Sequence, residues 1–344
     1  MKNCKRFRAL KTGPDDAGRR LDRVLRKALP DYSLSLIHRL LRQGKALLDG
    51  KPASPAARVP PGAVIQVVIQ EEIPKKIKPR STRRESKGSS IINCRTQEKK
   101  AGFSNDNSVS SVVKNSSLPA ILWRGAGIIV FNKPPGLATH GEDSLDTLVK
   151  DWLSGRLPPS LSFKPGPLHR LDKPTSGAVA FSETIEGARL FSRLLRERKV
   201  AKTYLAIVEG RVTGGAVWRD GLVRDSSAGK TFVSGKFAAD SSNAQDALTA
   251  VEALASNGSH TLIEARIVTG RTHQIRAQAA ARGLPLAGDR KYGGRSFSGG
   301  FFLHAWKMDL GGLVDGFPRP LVAPLPSPFE SRIAALFGAI KLPF

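Results

Sequence analysis

The chain has 344 residues, of which 40% are hydrophobic, so it is long enough to form two domains with cores of their own. Its 55 Lys and Arg residues outnumber 29 Asp and Glu residues, and the formal net charge of +26 indicates a polyanionic partner. No apolar stretch approaches the roughly 20 residues that cross a bilayer, so nucleic acid is favoured over a membrane. No apolar segment follows the basic amino terminus, and a signal peptide is therefore not predicted.

The two cysteines, Cys4 and Cys94, predict neither a disulfide framework nor a zinc site. We assign them no role. Such sparse use of cysteine fits a reducing compartment, and we expect a cytoplasmic protein that is a monomer and has no membrane partner.

A first compact zone is predicted over residues 16–70. Apolar residues recur at helical spacing over residues 20–29, which predicts a helix with Arg and Lys on its outer face. Ser33 or Ser35 can cap a second helix, which Gly44 stops. The strands of a small hairpin sheet are expected to follow, over residues 47–51 and 64–69.

A second zone, over residues 71–118, is predicted to be a disordered linker. Residues 74–100 hold ten Lys or Arg and two Glu, and Ser and Asn dominate the sequence after them. Such a composition cannot bury enough apolar area to offset the entropy lost on ordering. The linker joins two domains, and its positive charge could also capture a polyanion without any fixed structure.

The third zone, over residues 119–344, alternates strand-like runs with helical ones. Strands and helices that do not follow strict βαβ alternation indicate an α+β fold. The predicted strands are 127–132, 178–182, 203–208 and 262–268, and the predicted helices are 144–153, 185–198 and 274–281.

One acidic residue of this zone, Asp172, is expected in a turn just before the strand at 178–182. A Pro/Gly-rich loop precedes it, and Arg170 lies two residues away. A carboxylate in such a turn can be a nucleophile or a general base, and a nearby Arg can keep it ionised. The alternative is an ordinary polar turn on a basic surface.

The segment around Asp172 resembles the HRLDxxTSG motif of the RluA-like family of RNA pseudouridine synthases. Residues 169–177 read His-Arg-Leu-Asp-Lys-Pro-Thr-Ser-Gly, so every fixed position is present. A chance match at about seven fixed positions is on the order of one in a billion. Three other segments are similar to the family's NKPxGxxxH, K-x-Y and GRTHQ(I/L)R motifs, at residues 132–140, 202–204 and 270–276.

The resemblance implies a catalytic domain with a mixed, largely antiparallel sheet that isomerises uridine to pseudouridine. It makes Asp172 the catalytic carboxylate, Arg276 its ion-pair partner, and Tyr204 an aromatic group within proton-transfer reach of the target base. The carboxylate could attack the ribose anomeric carbon or C6 of uracil, or assist base departure, and the sequence does not choose. The base never leaves the pocket, so we expect no metal and no cofactor. A uridine in folded RNA must be flipped out to react.

Further residues of these motifs are expected to bind the substrate. Ile275 is expected to form an apolar wall of the uracil pocket. His169 and Arg170 are expected to fill the space that the base vacates, to hold phosphates, or to brace the catalytic loop. The other expected substrate-binding residues are Lys133, His140, Arg271 and His273. Gln278 and Leu284 stand where the family often has His, but neither position is assigned chemistry.

The first zone resembles an S4 RNA-binding module, a small αα-β domain. The similar pieces are Arg20-Leu21-Asp22, Ser35 with Arg39, and Gly44-Lys45 ahead of Asp49-Gly50. The alternative is a generic amphipathic helix pair with solvated cations. The resemblance implies RNA contacts through basic side chains, namely Arg20, Arg23, Arg39, Arg42 and Lys45.

Large-subunit ribosomal RNA is the expected substrate, because an S4 module and the His140-Gly141 pair are typical of the ribosomal subgroup of the family. One alternative is a ribosome-assembly or RNA-binding protein whose synthase domain only holds RNA. A synthase that acts on transfer RNA is another. The first alternative is disfavoured because all the expected catalytic positions are intact.

Overall fold

A computed structural model describes residues 7–68, 117–234, 243–297 and 300–343. The chain divides into two compact units, one formed by Met1–Asn115 with Pro159–Ser162, the other by Ser116–Pro158 with Phe163–Phe344. Cys4, Cys94 and nearly all of the predicted linker lie outside the described residues. In the part of the chain that the structure describes, no helix has the length and apolar character needed to cross a membrane.

The first unit packs two helices on a four-stranded antiparallel sheet whose strand order is β1-β4-β2-β3. Both predicted helices are present, and Ser33 is the residue that caps the second, since its Oγ accepts a hydrogen bond from the Leu36 amide at 3.2 Å. The elements are β1 (Phe7–Lys11), α1 (Leu21–Ala28), α2 (Leu34–Arg42), β2 (Ala46–Leu48), β3 (Lys51–Pro52) and β4 (Val64–Val68).

Strand β1 was not predicted, because its five residues show no clear alternation of apolar and polar side chains. It forms because β4 offers an unpaired edge, along which Phe7–Lys11 pairs in antiparallel register. Leu10 of β1 then joins a core that both helices and the sheet supply. Tertiary pairing, rather than local propensity, therefore decides this element.

The second unit is built on an eleven-stranded sheet among the described residues. Its main path is β11-β10-β12-β13-β9-β14-β8-β6-β5, and β7 and β15 pair at its side. The strands are β5 (Ile121–Gly125), β6 (Ile128–Lys133), β7 (Gly166–Pro167), β8 (Ser176–Ser182), β9 (Ala201–Glu209), β10 (Gly215–Asp225), β11 (Lys230–Val233), β12 (Gln245–Ser256), β13 (His260–Ile267), β14 (Leu303–Asp309) and β15 (Leu321–Val322). The helices are α3 (Leu145–Leu153), α4 (Ile185–Arg196), α5 (Gln274–Ala281) and α6 (Ser327–Phe337).

Antiparallel pairing dominates this sheet, and β14 with β8 is its parallel pair among the described strands. The predicted α+β class with a mixed, largely antiparallel sheet is therefore confirmed. Its main core lies between the sheet and α3 and α5, and includes Phe131, Phe181 and Ile263. This packing fixes β8 and β9, the strands that carry or flank the expected catalytic residues.

A glycine at the start of β8 lets two strands approach closely. Gly177 has φ of +111°, and a Cβ at this position would collide with the backbone of Ala305 on β14. Every residue of β8 is buried, so the strand has no room to shift away. The glycine of the Thr-Ser-Gly step is therefore required by the parallel pairing of β8 with β14.

Gly177→Ala is expected to lower the free energy of unfolding by at least about 2 kcal/mol, because it adds both backbone strain and a steric overlap. Thermal denaturation measures the effect. Gly141→Ala is the matched control, since Gly141 also has a positive φ of +109° but has open space where the Cβ would lie. Equal losses in the two variants would contradict the role of the β14 contact.

Candidate active site

A pocket of about 330 Å³ opens where the loop before β8, strand β9 and the start of α5 meet. Asp172, Tyr204 and Arg276 all line it, although more than thirty residues of sequence separate each from the next. Its other lining residues are His169, Arg170, Leu171, Thr175, Leu195, Arg198, Val200, Lys202, Ile267, Val268, Gly270, Arg271, Thr272, His273, Gln274, Ile275 and Leu303.

The segment after β6 holds the loop that carries Asp172 through hydrogen bonds. Thr139 Oγ1 donates to the Leu171 carbonyl at 2.8 Å and accepts from the Leu171 amide at 3.1 Å. The amide of Gly136 donates to the Lys173 carbonyl at 2.9 Å. The Thr175 amide closes the turn on the Asp172 carbonyl at 3.0 Å. Backbone groups on both sides of Asp172 are thus fixed.

Lys133 belongs to this support and not to the pocket wall. Its side chain is fully buried, and Nζ donates to the carbonyls of Leu137 at 2.8 Å, Pro134 at 3.0 Å and Lys173 at 3.3 Å. Burial lowers the pKa of Lys133 to about 7, and the charge of Asp172 opposes that shift. The contacts of Nζ with these three carbonyls therefore tie the loop that carries Asp172 to the β6 turn.

Asp172 and a second carboxylate share one guanidinium. Nη1 of Arg276 donates to Asp172 Oδ2 at 3.0 Å, while Nε and Nη2 donate to the two oxygens of Asp289 at 2.7 and 2.8 Å. Burial alone would lower the pKa of Arg276, but the bonds and charges of Asp289 and Asp172 raise it. The side chain of Asp289 is 1% exposed and that of Asp172 is 17% exposed, so only Asp172 faces the pocket.

His273 approaches the same oxygen of Asp172. It precedes α5 in the left-handed conformation, with φ of 54° and ψ of 24°. Its Nε2 lies 3.6 Å from Asp172 Oδ2, and its Nδ1 lies 2.8 Å from the hydroxyl of Tyr292. Burial lowers the pKa of His273, although the Asp172 charge acts in the opposite direction. The ring is therefore mainly neutral at pH 7.

Gln274 fixes the turn that presents His273 and Arg276. Its buried amide oxygen accepts from the Arg271 amide at 3.0 Å and from Thr269 Oγ1 at 2.9 Å. Its Nε2 donates to Thr249 Oγ1 at 2.9 Å on strand β12. The Gly-Arg-Thr-His-Gln motif is therefore a turn whose last side chain forms hydrogen bonds with the backbone of Arg271 and with strand β12.

Tyr204 is 7% exposed and lies on β9. Burial, together with the charge of Asp172, raises the pKa of the Tyr204 phenol, so the hydroxyl keeps its proton at neutral pH. Ile275 and Leu303 are buried apolar lining residues of the same pocket. The pocket thus combines a carboxylate, a protonated phenol and apolar walls.

The remaining expected substrate-binding residues lie in different places. Arg170 and Arg271 are exposed at the pocket, and Arg271 Nε donates to the Asp246 carbonyl at 3.1 Å. His169 lines the pocket, but its Nε2 accepts from the Ala180 amide at 3.1 Å, and burial lowers the pKa of its ring to about 3. His140 is exposed, 4.0 Å from an Asp146 oxygen, and is not among the pocket residues.

Sequence reasoning assigned no role to three residues of this site. Asp289 and Tyr292 lie in a Gly-Asp-x-x-Tyr-Gly segment for which the motifs predicted no chemistry. Lys202 precedes Tyr204 on the same face of β9 and lines the pocket; burial lowers its pKa. Only the three-dimensional arrangement places Asp289 against Arg276, Tyr292 against His273 and Lys202 in the wall of the pocket. Within the described ranges, no group of three or more His, Cys, Asp or Glu side chains could hold a metal.

The first unit exposes most of its expected RNA-binding cations. Arg23, Arg39 and Arg42 are exposed, and Lys45 is half-buried. Arg20 instead forms an ion pair with Asp22 at 2.7 Å, which holds it against the start of α1. Arg23 also lines a basic cleft together with Arg19, Arg26, Lys27, Pro30, Tyr32, Ser33 and Leu34.

Comparison with known proteins agrees with this geometry. A family model described as RNA pseudouridylate synthase matches residues 127–281, and a model of the S4 domain matches residues 19–65. The solved structure of human RNA pseudouridylate synthase domain containing 4 is 25% identical, with a TM-score of 0.55, over 65% of this chain and 94% of that one. The predicted resemblances to both families are confirmed.

Two relatives match along nearly the whole chain. The ribosomal large subunit pseudouridine synthase D of Xanthomonas campestris pv. campestris is 28% identical over 94% of this chain and 91% of its own length. The protein of the same name from Nitrosomonas europaea is 30% identical over 96% of this chain and 87% of its own length. Likeness of this extent includes both the S4 domain and the pocket around Asp172, so the chain belongs to the RNA pseudouridylate synthase family and is an isomerase that converts uridine in RNA to pseudouridine.

Proposed function

We propose that this enzyme modifies specific uridines of large-subunit ribosomal RNA and that Asp172 is its catalytic carboxylate. The observation that carries the proposal is the ion pair of Asp172 with Arg276 at 3.0 Å on the wall of an open pocket. The names of the two relatives, which are synthases of the ribosomal large subunit, support the choice of RNA. Transfer RNA is the competing substrate.

The two carboxylate oxygens of Asp172 have different surroundings, which suits different roles. Oδ2 is engaged by Arg276 and faces His273, whereas no described residue donates a hydrogen bond to Oδ1. One oxygen is thus held by a cation and the other remains for the substrate. Attack on the ribose carbon, attack on C6 of uracil and assisted departure of the base all need an ionised carboxylate with one available oxygen.

Other pocket residues have roles that follow from their chemistry. The target uridine must leave its stack to reach Asp172, and Tyr204 and Ile275 offer surfaces that replace the stacking it gives up. The Tyr204 hydroxyl keeps its proton, so it can act as a relay when the C5 hydrogen is removed, passing its own proton to water as it accepts the one from carbon. The exposed Arg170 and Arg271 suit phosphate contacts, and His169 and Lys133 brace the catalytic loop.

Mapping of pseudouridines in ribosomal and transfer RNA, from cells with and without the gene, tests the substrate. We expect loss of one or a few pseudouridines from large-subunit RNA, and their return when the wild-type gene is supplied. The Asp172→Asn gene should not restore them, which separates catalysis from RNA holding. Loss confined to transfer RNA would contradict the proposed substrate and leave the isomerase activity in place.

Tyr204→Phe is expected to slow single-turnover pseudouridine formation by about 10²-fold or more, because it removes one proton-transferring group and keeps the stacking ring. RNA affinity should stay near that of the parent. Release of tritium from RNA labelled at uridine C5 measures the rate. Tyr32→Phe removes a phenol hydroxyl outside the pocket and, at saturating RNA, should retain the parent rate. A parental rate in Tyr204→Phe would show that the hydroxyl carries no proton.

The combined Arg39→Gln and Arg42→Gln substitutions are expected to weaken RNA binding without changing turnover of saturating substrate. Removal of each cation that binds a phosphate should flatten the slope of log affinity against log salt by about 0.7 to 0.9. Point substitution is preferable to deletion because the first unit also contains residues 159–162. Arg189→Gln with Arg196→Gln removes the same charge from α4 as a control. Equal salt slopes in both double variants would contradict an RNA-binding role for α2.

A further inference from the structure

A short turn behind the pocket holds both groups that approach Asp172. Asp289 precedes a single 3₁₀ turn over Arg290–Tyr292, and Tyr292 ends it, its amide donating to the Asp289 carbonyl at 2.9 Å. The carboxylate at the start of this turn binds Arg276, and the hydroxyl at its end binds His273. Both residues are buried, and neither lines the pocket.

Asp289 determines the direction in which Arg276 points. A guanidinium is planar, so fixing two of its nitrogens fixes the third. Asp289 accepts from Nε at 2.7 Å and from Nη2 at 2.8 Å, and the remaining Nη1 is thereby aimed at Asp172. The rings of Tyr292 and Phe301 lie 4.9 and 5.1 Å from Cζ and restrain the plane of the guanidinium.

Tyr292 determines which nitrogen of His273 carries the proton. The Thr231 amide donates to the Tyr292 hydroxyl at 2.8 Å, so that oxygen is already an acceptor. Burial raises the pKa of the Tyr292 phenol, and the hydroxyl therefore keeps one proton to donate. Its partner is Nδ1 of His273 at 2.8 Å. Nε2 faces the Asp172 carboxylate, so a neutral ring with its proton on Nε2 and a bare Nδ1 that accepts from Tyr292 satisfies both contacts.

The Nε2 proton of His273 faces the catalytic carboxylate. Nε2 lies 3.6 Å from Asp172 Oδ2, the same oxygen that Arg276 Nη1 reaches at 3.0 Å. The first turn of α5 thus directs two N–H groups at one oxygen, one in a hydrogen bond and one at a longer distance. With the other tautomer, a lone pair would face the carboxylate and repel it.

We propose that Asp289 and Tyr292 are positioning residues of the isomerase. Asp289 orients Arg276, and Tyr292 selects the Nε2–H tautomer of His273. The N–H groups of Arg276 and His273 then both face Asp172 Oδ2. This inference rests on the proposed catalytic role of Asp172. It assigns His273 to the support of the carboxylate instead of to the binding of RNA.

Asp289→Asn and Tyr292→Phe test the two arms on the full-length enzyme with an RNA that contains the target uridine. Misplacement of the catalytic group by a fraction of an ångström should lower single-turnover kcat by about 10²-fold in Asp289→Asn. Loss of the hydroxyl that fixes the His273 tautomer should lower single-turnover kcat by about tenfold in Tyr292→Phe. KM and RNA affinity should change by less than about threefold. Asp289→Glu, which keeps the carboxylate, should recover part of the kcat that Asp289→Asn loses.

The nitrogen-15 NMR spectrum of His273 gives a readout that general loss of structure would not produce. In the parent enzyme we expect a bare Nδ1 and a protonated Nε2, and in Tyr292→Phe a mixture of both tautomers. Asp220→Asn is the matched structural control, because Asp220 also forms an ion pair with an Arg, Arg282 at 2.9 Å, but lies outside the pocket. It should reduce stability and leave both kcat and the His273 spectrum unchanged.

The outcomes separate this inference from the proposed function. If Asp172→Asn keeps parental turnover, the catalytic assignment fails and the inference fails with it. If Asp172→Asn is inactive while Asp289→Asn and Tyr292→Phe keep parental kcat, only the inference is overturned. An unchanged His273 tautomer in Tyr292→Phe would overturn the arm that concerns Tyr292, even if Asp289→Asn proves too unstable to study.

Discussion

Asp172→Asn is expected to reduce pseudouridine formation by at least about 10⁴-fold, the range found when a catalytic carboxylate or its partners are removed from an enzyme. The substitution keeps the size of the side chain. It also keeps one oxygen that can accept from Arg276 Nη1, which lies 3.0 Å from Asp172 Oδ2 in the parent protein. It removes the charge and the oxygen that stays available to the substrate. The fold and the affinity for RNA should therefore persist while the chemistry stops.

The same single-turnover assay, run with saturating enzyme, measures this loss, and a filter-binding titration measures RNA affinity. Asp146→Asn is a close control, because the Asp146 side chain is also 17% exposed and pairs with Lys150 at 2.8 Å, outside the pocket. It should keep parental turnover. Residual activity of Asp172→Asn within about tenfold of the parent would remove Asp172 from the chemistry.

Local sequence patterns predicted the elements whose signals are local. The helix expected over residues 274–281 has those bounds in the structure, and Ser144 caps α3 through its Oγ at 3.4 Å from the Thr147 amide. The helix expected over residues 185–198 ends at Arg196, a difference of two residues that is usual for fraying helix ends. Capping residues and helical periodicity are sufficient in such cases.

Some strands that depend on distant partners, β12 among them, were not predicted. Strand β12 reads Gln-Asp-Ala-Leu-Thr-Ala-Val-Glu-Ala-Leu-Ala-Ser, a composition rich in helix formers. It is nevertheless extended, because it pairs with β10 on one side and with β13 on the other, antiparallel in both cases. The hydrogen bonds and burial of two neighbouring strands outweigh the local preference.

In the site too, the sequence predicted some contacts and missed others. The family motifs named Asp172 and Arg276 as partners, and the structure has them 3.0 Å apart. The motifs did not show that Arg276 also binds Asp289, or that Tyr292 binds His273, because these contacts join side chains 13 and 19 residues apart through a loop. Sequence similarity identifies groups that must be present, whereas the geometry shows which groups hold them in position.

Arg276 gives the second large expected effect, on stability as well as on activity. Its removal in Arg276→Met leaves Asp289, whose side chain is 1% exposed, without a cation. Breaking a buried ion pair by removing one partner typically costs about 3–5 kcal/mol, so the free energy of unfolding should fall by a similar amount. Arg276→Lys should restore little turnover, since a point charge cannot satisfy Asp289 and reach Asp172 together. Turnover and the free energy of unfolding are the two measurements.

The double variant Arg276→Met with Asp289→Asn separates the two effects. Neutralising Asp289 relieves the unpaired buried charge, so the double variant should regain part of the stability that Arg276→Met loses. It should stay as inactive as the single variant, because Asp172 still lacks the guanidinium that engages Oδ2. Recovery of turnover along with stability would mean that Arg276 serves the fold alone. Recovery of stability without turnover would show that turnover needs the guanidinium beside Asp172.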